Sequence, residues 1–397
     1  MLIGLVGKPN IGKSTFFRAA TLAHAETGNY PFVTIKPNMG KGFVRVKEGS
    51  SEFGKHDNPR EGYTQNGCRF VPFDLMDVAG LVPGAHEGLG MGNSFLDDLR
   101  QADALIHVID LAGATNEKGE SVEVGTYDPA NDIRFLEEEL DFWYVGILKK
   151  GWEKFARTIQ QTHADIEVAL AKQLSGLGVT EDIVKGTLAR INVPMDTITE
   201  WSEEQLFKIA QELRKITKPI IIAANKIDVP GAADKLVGLK EQFPEYKIIG
   251  CSAESEVALR EAHKHGLIKY CPGENSFETV GELSDKQKSA LDFINSNVLL
   301  KYKSTGIQDI MDAAVFELLE YIAIFPGGVG KLEDSNGNVL PDCFLMPKGS
   351  TALEFAFKLH TDFGKNFIKA IDVRSKMPTG KDHPLKHRDI VEIMANT

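Results

Sequence analysis

Leu2–Val6 is an unbroken apolar run, and it leads straight into Gly7-Lys8-Pro9-Asn10-Ile11-Gly12-Lys13-Ser14. No other stretch of the 397 residues restricts the fold as strongly. A short run without polar interruption suits a strand buried on both faces of a parallel sheet. The next eight residues fit GxxxxGK[ST], in which two glycines let the backbone curl so that successive N–H groups face phosphate oxygens. A helix is expected over residues 14–25, and its dipole adds to the cradle. Lys13 is expected to reach the β and γ phosphates as a point charge, and Ser14 to offer its hydroxyl to Mg²⁺. The expected nucleotide-binding set here is Gly7, Lys8, Pro9, Asn10, Ile11, Gly12, Lys13, Ser14 and Thr15.

The first third continues in the same rhythm. Gly42–Lys47 alternates as an edge strand would, and Phe70–Met76 and Ala104–Ile109 are further strand candidates. Strands alternating with helices imply a doubly wound sheet. From Asp128 to about Lys215 the pattern turns helical. Leu136, Leu140, Trp143 and Ile147 recur at spacings of three and four, and Phe155, Ile159, Ile166, Leu170 and Leu174 continue the stripe. This reads as an antiparallel helical pair burying its apolar stripe, with a partner-binding coiled coil as the alternative. Strand signals resume at Ile220–Ala224 and Lys247–Gly250, so the helical block is inserted into an α/β domain. Helices are expected over Ser284–Asn295 and Ile307–Ile322. From about Phe325 the chain is rich in Gly, Pro and Asp turns, with short strands at Cys343–Met346 and Ile390–Met394, which suits a small α+β domain.

Bulk properties exclude several classes. The length implies two or three domains. Apolar residues at 42% and charged residues at 25% suit a soluble globular chain. The longest apolar runs, such as Ile220–Ala224, are too short to span a bilayer. Met1 opens directly onto the first strand, so no signal peptide is expected. Cys68, Cys251, Cys271 and Cys343 are scattered without a CxxC pair, which points to a reducing, cytoplasmic setting without disulfides or a zinc site. The net charge of −11 argues against a chain coated in nucleic acid, while leaving room for one local RNA-docking surface.

Asn225-Lys226-Ile227-Asp228 ends the strand candidate Ile220–Ala224. Guanine presents two donors, N1–H and the N2 amine, and a carboxylate at Asp228 accepts both. Adenine offers neither, so it leaves that carboxylate unpaired. Lys226 is placed to lie along the ring, and Asn225 to tie the segment to the phosphate loop. Ser252-Ala253-Glu254 follows the next strand, where the Ala253 N–H is placed to donate to guanine O6. An ordinary strand-to-helix turn capped by Ser252 is the plainer reading of that motif.

DxxG occurs at Asp77–Gly80, Asp110–Gly113, Asp228–Gly231 and Asp334–Gly337. Only Asp77-Val78-Ala79-Gly80 ends a strand expected beside the phosphate loop, so Asp77 is expected to hold a Mg²⁺-bound water and Gly80 to contact the γ-phosphate. Thr34, between the first helix and the edge strand, is placed to close over Mg²⁺. Ras-type enzymes put a water-orienting glutamine directly after the DxxG glycine. Leu81 stands there and cannot orient water, so another group must act. His86 is the nearest side chain that could, and Asn10 could instead hold a K⁺ ion near the phosphates.

These motifs in order, with Tyr30-Pro31-Phe32, Pro37-Asn38, Asp77–Leu81 and Gly88-Leu89-Gly90-Met91-Gly92-Asn93-Ser94-Phe95-Leu96, resemble Obg-related GTPases of the YchF type, in an archaeal-like version. Phe344-Leu345-Met346-Pro347-Lys348-Gly349-Ser350-Thr351 resembles a TGS domain, a ubiquitin-like β-grasp module. The resemblance covers nearly the whole chain. It implies an α/β P-loop NTPase G domain over 1–128 and 216–322, a helical, coiled-coil-like insertion over 129–215, and a TGS-like domain over 323–397. It also implies nucleotide hydrolysis stimulated by ribosomes and a role in translation or stress control, with a histidine in the switch loop as catalytic group, matched here by His86. Many bacterial and eukaryotic members prefer ATP and lack the NKxD aspartate, whereas Asp228 is present here.

The expected activity is slow GTP hydrolysis used as a switch, with Mg²⁺ and possible K⁺ as cofactors and Lys13, Gly80 and His86 as catalytic groups. An ATPase of the same fold and a nucleotide-gated RNA- or ribosome-binding protein with incidental turnover remain as alternatives. The expected partners are a guanine nucleotide and a ribosome, rRNA or tRNA surface met by the TGS and helical domains, where Lys358, Lys365, Lys369, Arg374, Lys376 and Lys381 are dense. No membrane contact is expected, and the chain is expected to act as a monomer.

Overall fold

The computed structural model describes residues 1–21, 39–78 and 98–396. The expectations placed on Thr34, Gly80, Leu81 and His86 lie outside these residues, as does the end of the helix expected over 14–25. In chain order the elements begin β1 (Leu2–Val6), α1 (Lys13–Thr21), β2 (Met39–Lys47), β3 (Tyr63–Gln65), β4 (Cys68–Asp77) and β5 (Ala104–Asp110). A helical stretch follows: α2 (Ala130–Lys149), α3 (Trp152–Thr162), α4 (Ile166–Gln173), α5 (Glu181–Ile191) and α6 (Glu203–Thr217). Then come β6 (Ile220–Asn225), α7 (Ala232–Gln242), β7 (Lys247–Cys251), α8 (Ala253–Lys264), β8 (Ile268–Tyr270), β9 (Phe277–Thr279), α9 (Asp285–Ile294) and α10 (Ile307–Ala313). The chain closes with β10 (Tyr321–Pro326), β11 (Phe344–Pro347), α11 (Ala352–Leu359), α12 (Thr361–Lys365), β12 (Phe367–Asp372), β13 (Pro378–Thr379) and β14 (Ile390–Ala395).

The chain divides into two compact units. The first holds the described residues of Met1–Phe17, Pro37–Met39 and Leu75–Ala253, and the second those of Arg18–Lys36, Gly40–Asp74 and Glu254–Thr397. In the first unit β1, β5, β6 and β7 pair in parallel and in that order. Every residue of β5 and β6 is buried, which is why both are mostly apolar, β5 carrying only His107 and Asp110 as polar residues. The end of β4 lies on the other side of β1, where the Val78 N–H donates to Leu5 O at 3.1 Å. Strand order therefore reverses at β1, and ligand crevices of open α/β sheets form at the carboxyl end of such a strand. Register aligns Asp110, Asn225 and Cys251 across the ends of β5, β6 and β7.

The helical stretch comprises five helices, not the antiparallel pair that the stripe suggested. Gly151 (φ 76°) and His163 (φ 51°) adopt left-handed conformations that end continuous helix, and the Asp165, Thr180 and Ser202 side chains cap the next starts. The stripe of α2 runs through Leu136, Leu140, Trp143, Tyr144 and Leu148, all buried, and leaves Ile147 half-buried. Helix α2 packs along α6, and α5 packs on α4 and α6. No helix among the described residues is long and apolar enough to cross a membrane.

In the second unit β3 pairs antiparallel with β4, and Tyr63 stacks on Phe70 with ring centroids 4.4 Å apart. The helix expected over 307–322 ends early. After α10 a π-turn covers Ala314–Leu318, Glu320 turns the chain at φ 50°, and Tyr321–Pro326 is a strand. A short apolar run such as Ile322–Phe325 fits a buried strand and a buried helix equally by pattern, and here the sheet decides. That sheet has the order β11-β10-β14-β12-β13, mixing parallel and antiparallel pairs. Helix α11 covers it through Phe355, against Ile322, Ile324, Met346, Ala370 and Val391. The described cysteine thiols are all free.

Candidate nucleotide site

The loop Gly7–Ser14 turns from β1 into α1 through three positive-φ residues, Gly7 (148°), Asn10 (62°) and Gly12 (93°). A Cβ on Gly7 would press on Ile11 Cδ1 and sit 2.6 Å from Val108 O, and one on Gly12 would strike Asn225 Nδ2. Both glycines are therefore required by close approach as well as by φ. The Phe16 N–H donates to Gly12 O at 2.8 Å, so the helix starts at the loop's end and leaves its first amides for a ligand.

Lys13 Nζ is paired with the Asp77 carboxylate and also donates to Val78 O at 2.6 Å. The Ser14 hydroxyl lies 3.4 Å from Asp77 Oδ2. One ammonium, one hydroxyl and one carboxylate thus meet at the mouth of the loop. That donor set fits a phosphate chain with a hard cation, because hydroxyl and carboxylate oxygens are what Mg²⁺ selects. Thr15 is half-buried in the same helical turn.

Asn225 joins three segments. Its Nδ2 donates to Ile11 O at 2.9 Å, and its Oδ1 accepts from the Ala253 N–H at 3.0 Å. The tie to the phosphate loop is as expected from the sequence. The Ala253 amide is placed differently: it serves Asn225, where a contact with guanine O6 was expected. Ser252 is buried, and Glu254 is exposed in the first turn of α8. Lys226 takes φ 68° and pairs with Asp110 Oδ2 at 2.9 Å. Asp110 is fully buried and also accepts from the Ala112 and Ala114 amides and the Thr115 hydroxyl. Asp228 is half-buried, and its carboxylate takes no hydrogen bond or ion pair from any described residue.

Two loop side chains take partners within the protein. Lys8 is 4% exposed, and its Nζ is turned away, to Thr115 O and Asp132 Oδ1, both at 2.8 Å. Only its backbone remains for phosphate. The Asn10 amide donates to Gly119 O at 2.9 Å, which turns this side chain toward the loop after β5. Asp110 is the residue that pattern reading passed over. It stood among the weak DxxG matches, and its alignment with Asn225 across β5 and β6 gives it a role that spacing alone could not.

Comparison with known proteins agrees with this geometry. The family described as 50S ribosome-binding GTPase matches residues 2–137. The G4 motif-containing domain of Obg-like GTPases of the YGR210 type matches residues 223–328, and the TGS domain matches residues 336–395. A GTP-binding protein of Methanocaldococcus jannaschii is 47% identical over 397 residues, covering 99% of each chain. The ribosome-binding ATPase YchF of Bacillus subtilis is 28% identical, covering 92% of this chain and 87% of its own. The crystal structure of a GTP-binding protein from Pyrococcus horikoshii OT3 superposes with a TM-score of 0.79 at 39% identity, over the whole of both chains. With the phosphate loop, the Asn225 brace and the C-terminal β-grasp sheet all in place, the chain belongs to the Obg-like, YchF-type family of P-loop GTPases and ends in a TGS domain.

Proposed function

We propose that this chain binds GTP in preference to ATP and hydrolyses it slowly as a switch that acts on ribosomes. The observation that carries the base assignment is Asp228. Its carboxylate stands at the end of β6, half-buried and uncommitted, three residues from the Asn225 brace. The backbone of residues 7–15 and the Lys13 ammonium would hold the phosphates. Ser14, Asp77 and Thr34 would hold Mg²⁺, which supplies charge neutralisation between the β and γ phosphates. Lys226, kept in place by Asp110, would lie along the base. Gly80 would report the γ-phosphate.

Leu81 offers no group to orient water. The intrinsic rate is therefore expected at no more than roughly 10⁻⁴ to 10⁻² s⁻¹. His86, or a K⁺ ion held in part by the Asn10 oxygen, would complete the catalytic set. Ribosome contact is supported by the name of the Bacillus relative and by exposed Lys358, Lys365, Lys376 and Lys381 in the C-terminal domain. Arg374 does not join that face, because it pairs with Glu52 at 2.8 Å. The three-part division at residues 128, 215 and 322 is retained as the working domain scheme.

The same relative is named an ATPase, so base preference is the decisive measurement. Competition of GTP and ATP for a fluorescent GDP analogue should show at least tenfold preference for GTP. Asp228→Asn should lose that preference and gain affinity for xanthine nucleotides, whose C2 carbonyl accepts from an amide. Equal affinity for GTP and ATP in the unaltered chain would establish the ATPase reading. Turnover unchanged by added ribosomes would favour a nucleotide-gated binding protein.

A further inference from the structure

Three consecutive residues of the phosphate loop are gripped from outside it, by the chain that follows β5 and by the first turn of α2. Lys8 Nζ has its partners at Thr115 O and Asp132 Oδ1 and lies 3.8 Å above the Tyr127 ring. Pro9 is packed under Gly119 so closely that a Cβ there would come within 2.9 Å of Pro9 O. Asn10 Nδ2 donates to Gly119 O. The Lys8 and Asp132 side chains are 3% and 5% exposed, so water does not share in the pair.

Asp132 belongs to the first turn of α2. Its Oδ1 takes a second hydrogen bond from the Tyr127 hydroxyl at 3.0 Å, and its Oδ2 is buried without a partner among the described residues. Burial pushes the Asp132 carboxyl above its ordinary range, and the Lys8 ammonium opposes that shift. Among the described residues, Lys8 and Tyr127 are the two groups that hydrogen-bond the carboxylate. Helix α2 then runs 20 residues along the helical stretch and packs on α6. Helix α6 returns the chain to β6, which ends in Asn225. The helical stretch thus meets the site at its start, through Asp132 and Lys8, while its end leads into the opposite, amino end of β6.

A phosphate loop works by aiming backbone N–H groups, and small errors of aim lose much of the electrostatic benefit. We propose that Lys8 and Asp132 form a positioning pair through which the helical stretch 130–217 sets the curvature of the phosphate loop, so that moving α2 changes nucleotide affinity. Lys8 acts through the loop backbone, and its charge does not touch the ligand. The inference rests on the nucleotide reading above.

The test uses the full chain carrying Lys8→Met, Asp132→Asn or Lys8→Arg. Two quantities are read: release of a fluorescent GDP analogue, and amide hydrogen exchange of residues 8–12 and 130–136 without added nucleotide. In Lys8→Met and Asp132→Asn, GDP release should rise at least tenfold, by a larger factor than kcat falls at saturating GTP. Exchange should quicken in both segments together. Lys8→Arg should restore most of both. Release within twofold of the unaltered chain, with exchange at 8–12 unchanged, overturns the proposal even if the melting temperature drops. If the unaltered chain binds no GDP, the nucleotide reading fails. The exchange comparison still decides the coupling, and loosening confined to 130–136 overturns it. Asp132→Asn, which keeps the side-chain shape, covers the case in which Lys8→Met does not fold.

Discussion

Asn225 is the residue whose loss the structure describes most fully. Its side chain satisfies one buried carbonyl, Ile11 O at 2.9 Å, and one buried amide, Ala253 N at 3.0 Å. Asn225→Ala leaves both unpaired, at about 1–3 kcal/mol each. The sum of roughly 2–6 kcal/mol is a large part of a typical domain's stability of about 5–15 kcal/mol. The alanine variant alone would therefore confuse unfolding with loss of binding. Asn225→Asp separates them. It keeps an acceptor for the Ala253 amide but sets an oxygen against Ile11 O, so the penalty falls on the phosphate loop. If the loss of about 1–3 kcal/mol at Ile11 is felt in the bound loop, nucleotide affinity should fall by about 5- to 150-fold. The assay is titration of a fluorescent GDP analogue, paired with thermal melts on the same samples. Asn225→Asp that binds within twofold of the unaltered chain, while melting lower, would show that the brace stabilises the fold without shaping the site.

Other perturbations test other parts of the structure. Asp77→Asn removes the partner of Lys13 and a Mg²⁺-class oxygen, so the Mg²⁺ concentration needed for tight nucleotide binding should rise; an unchanged midpoint in a Mg²⁺ titration counts against the assignment. Arg69 is buried, donates to Leu340 O and Pro341 O, and lies 3.6 Å from the buried Asp57. Arg69→Met removes the cation beside that carboxylate, which keeps its hydrogen bonds from Gly49 N, Ser50 N and Ser50 Oγ, and takes the donor from both carbonyls; it should cost about 3–5 kcal/mol by denaturant unfolding, and a loss below about 1 kcal/mol contradicts the role. His387 accepts the Ala323 N–H at 3.2 Å, and burial lowers its pKa below the ordinary 6.5. The unfolded chain then takes up the proton more readily, so stability is present above pH 6.5 and lost as pH falls through the folded value. Melting between pH 7.5 and 5.5 should show the decline, and His387→Gln should flatten it.

The turn from β1 into α1 and the tie of Asn225 to the phosphate loop were legible from residues alone because their chemistry is local. Two glycines, a lysine and a serine at fixed spacing after a strand suit a phosphate ligand, and Asp228, three residues past a buried strand, is proposed as the acceptor for guanine. Strands β1 and β6 were legible too, since burial on both faces leaves a nearly uninterrupted apolar signature. The helical stretch was read too simply: its stripe marked helix, but left-handed breaks at Gly151 and His163 follow from backbone conformation, not from periodicity. The start of the strand Tyr321–Pro326, Tyr321 and Ile322, was taken into a helix because its short buried run carries no period of its own.

Sequence by itself named the groups proposed here to meet a nucleotide: the backbone of residues 7–15, Lys13, Ser14, Asp77 and Asp228. Tertiary structure decided which of the neighbouring groups are free to act. Lys8 is only one residue of the loop motif in the sequence, and the fold buries its side chain against Asp132. Asp110 looks like a chance match, and strand register sets it under Lys226. The physical reason is common to both. A motif specifies side-chain chemistry and local backbone, whereas a buried charge takes its partner from whatever distant segment the packing brings within about 3 Å.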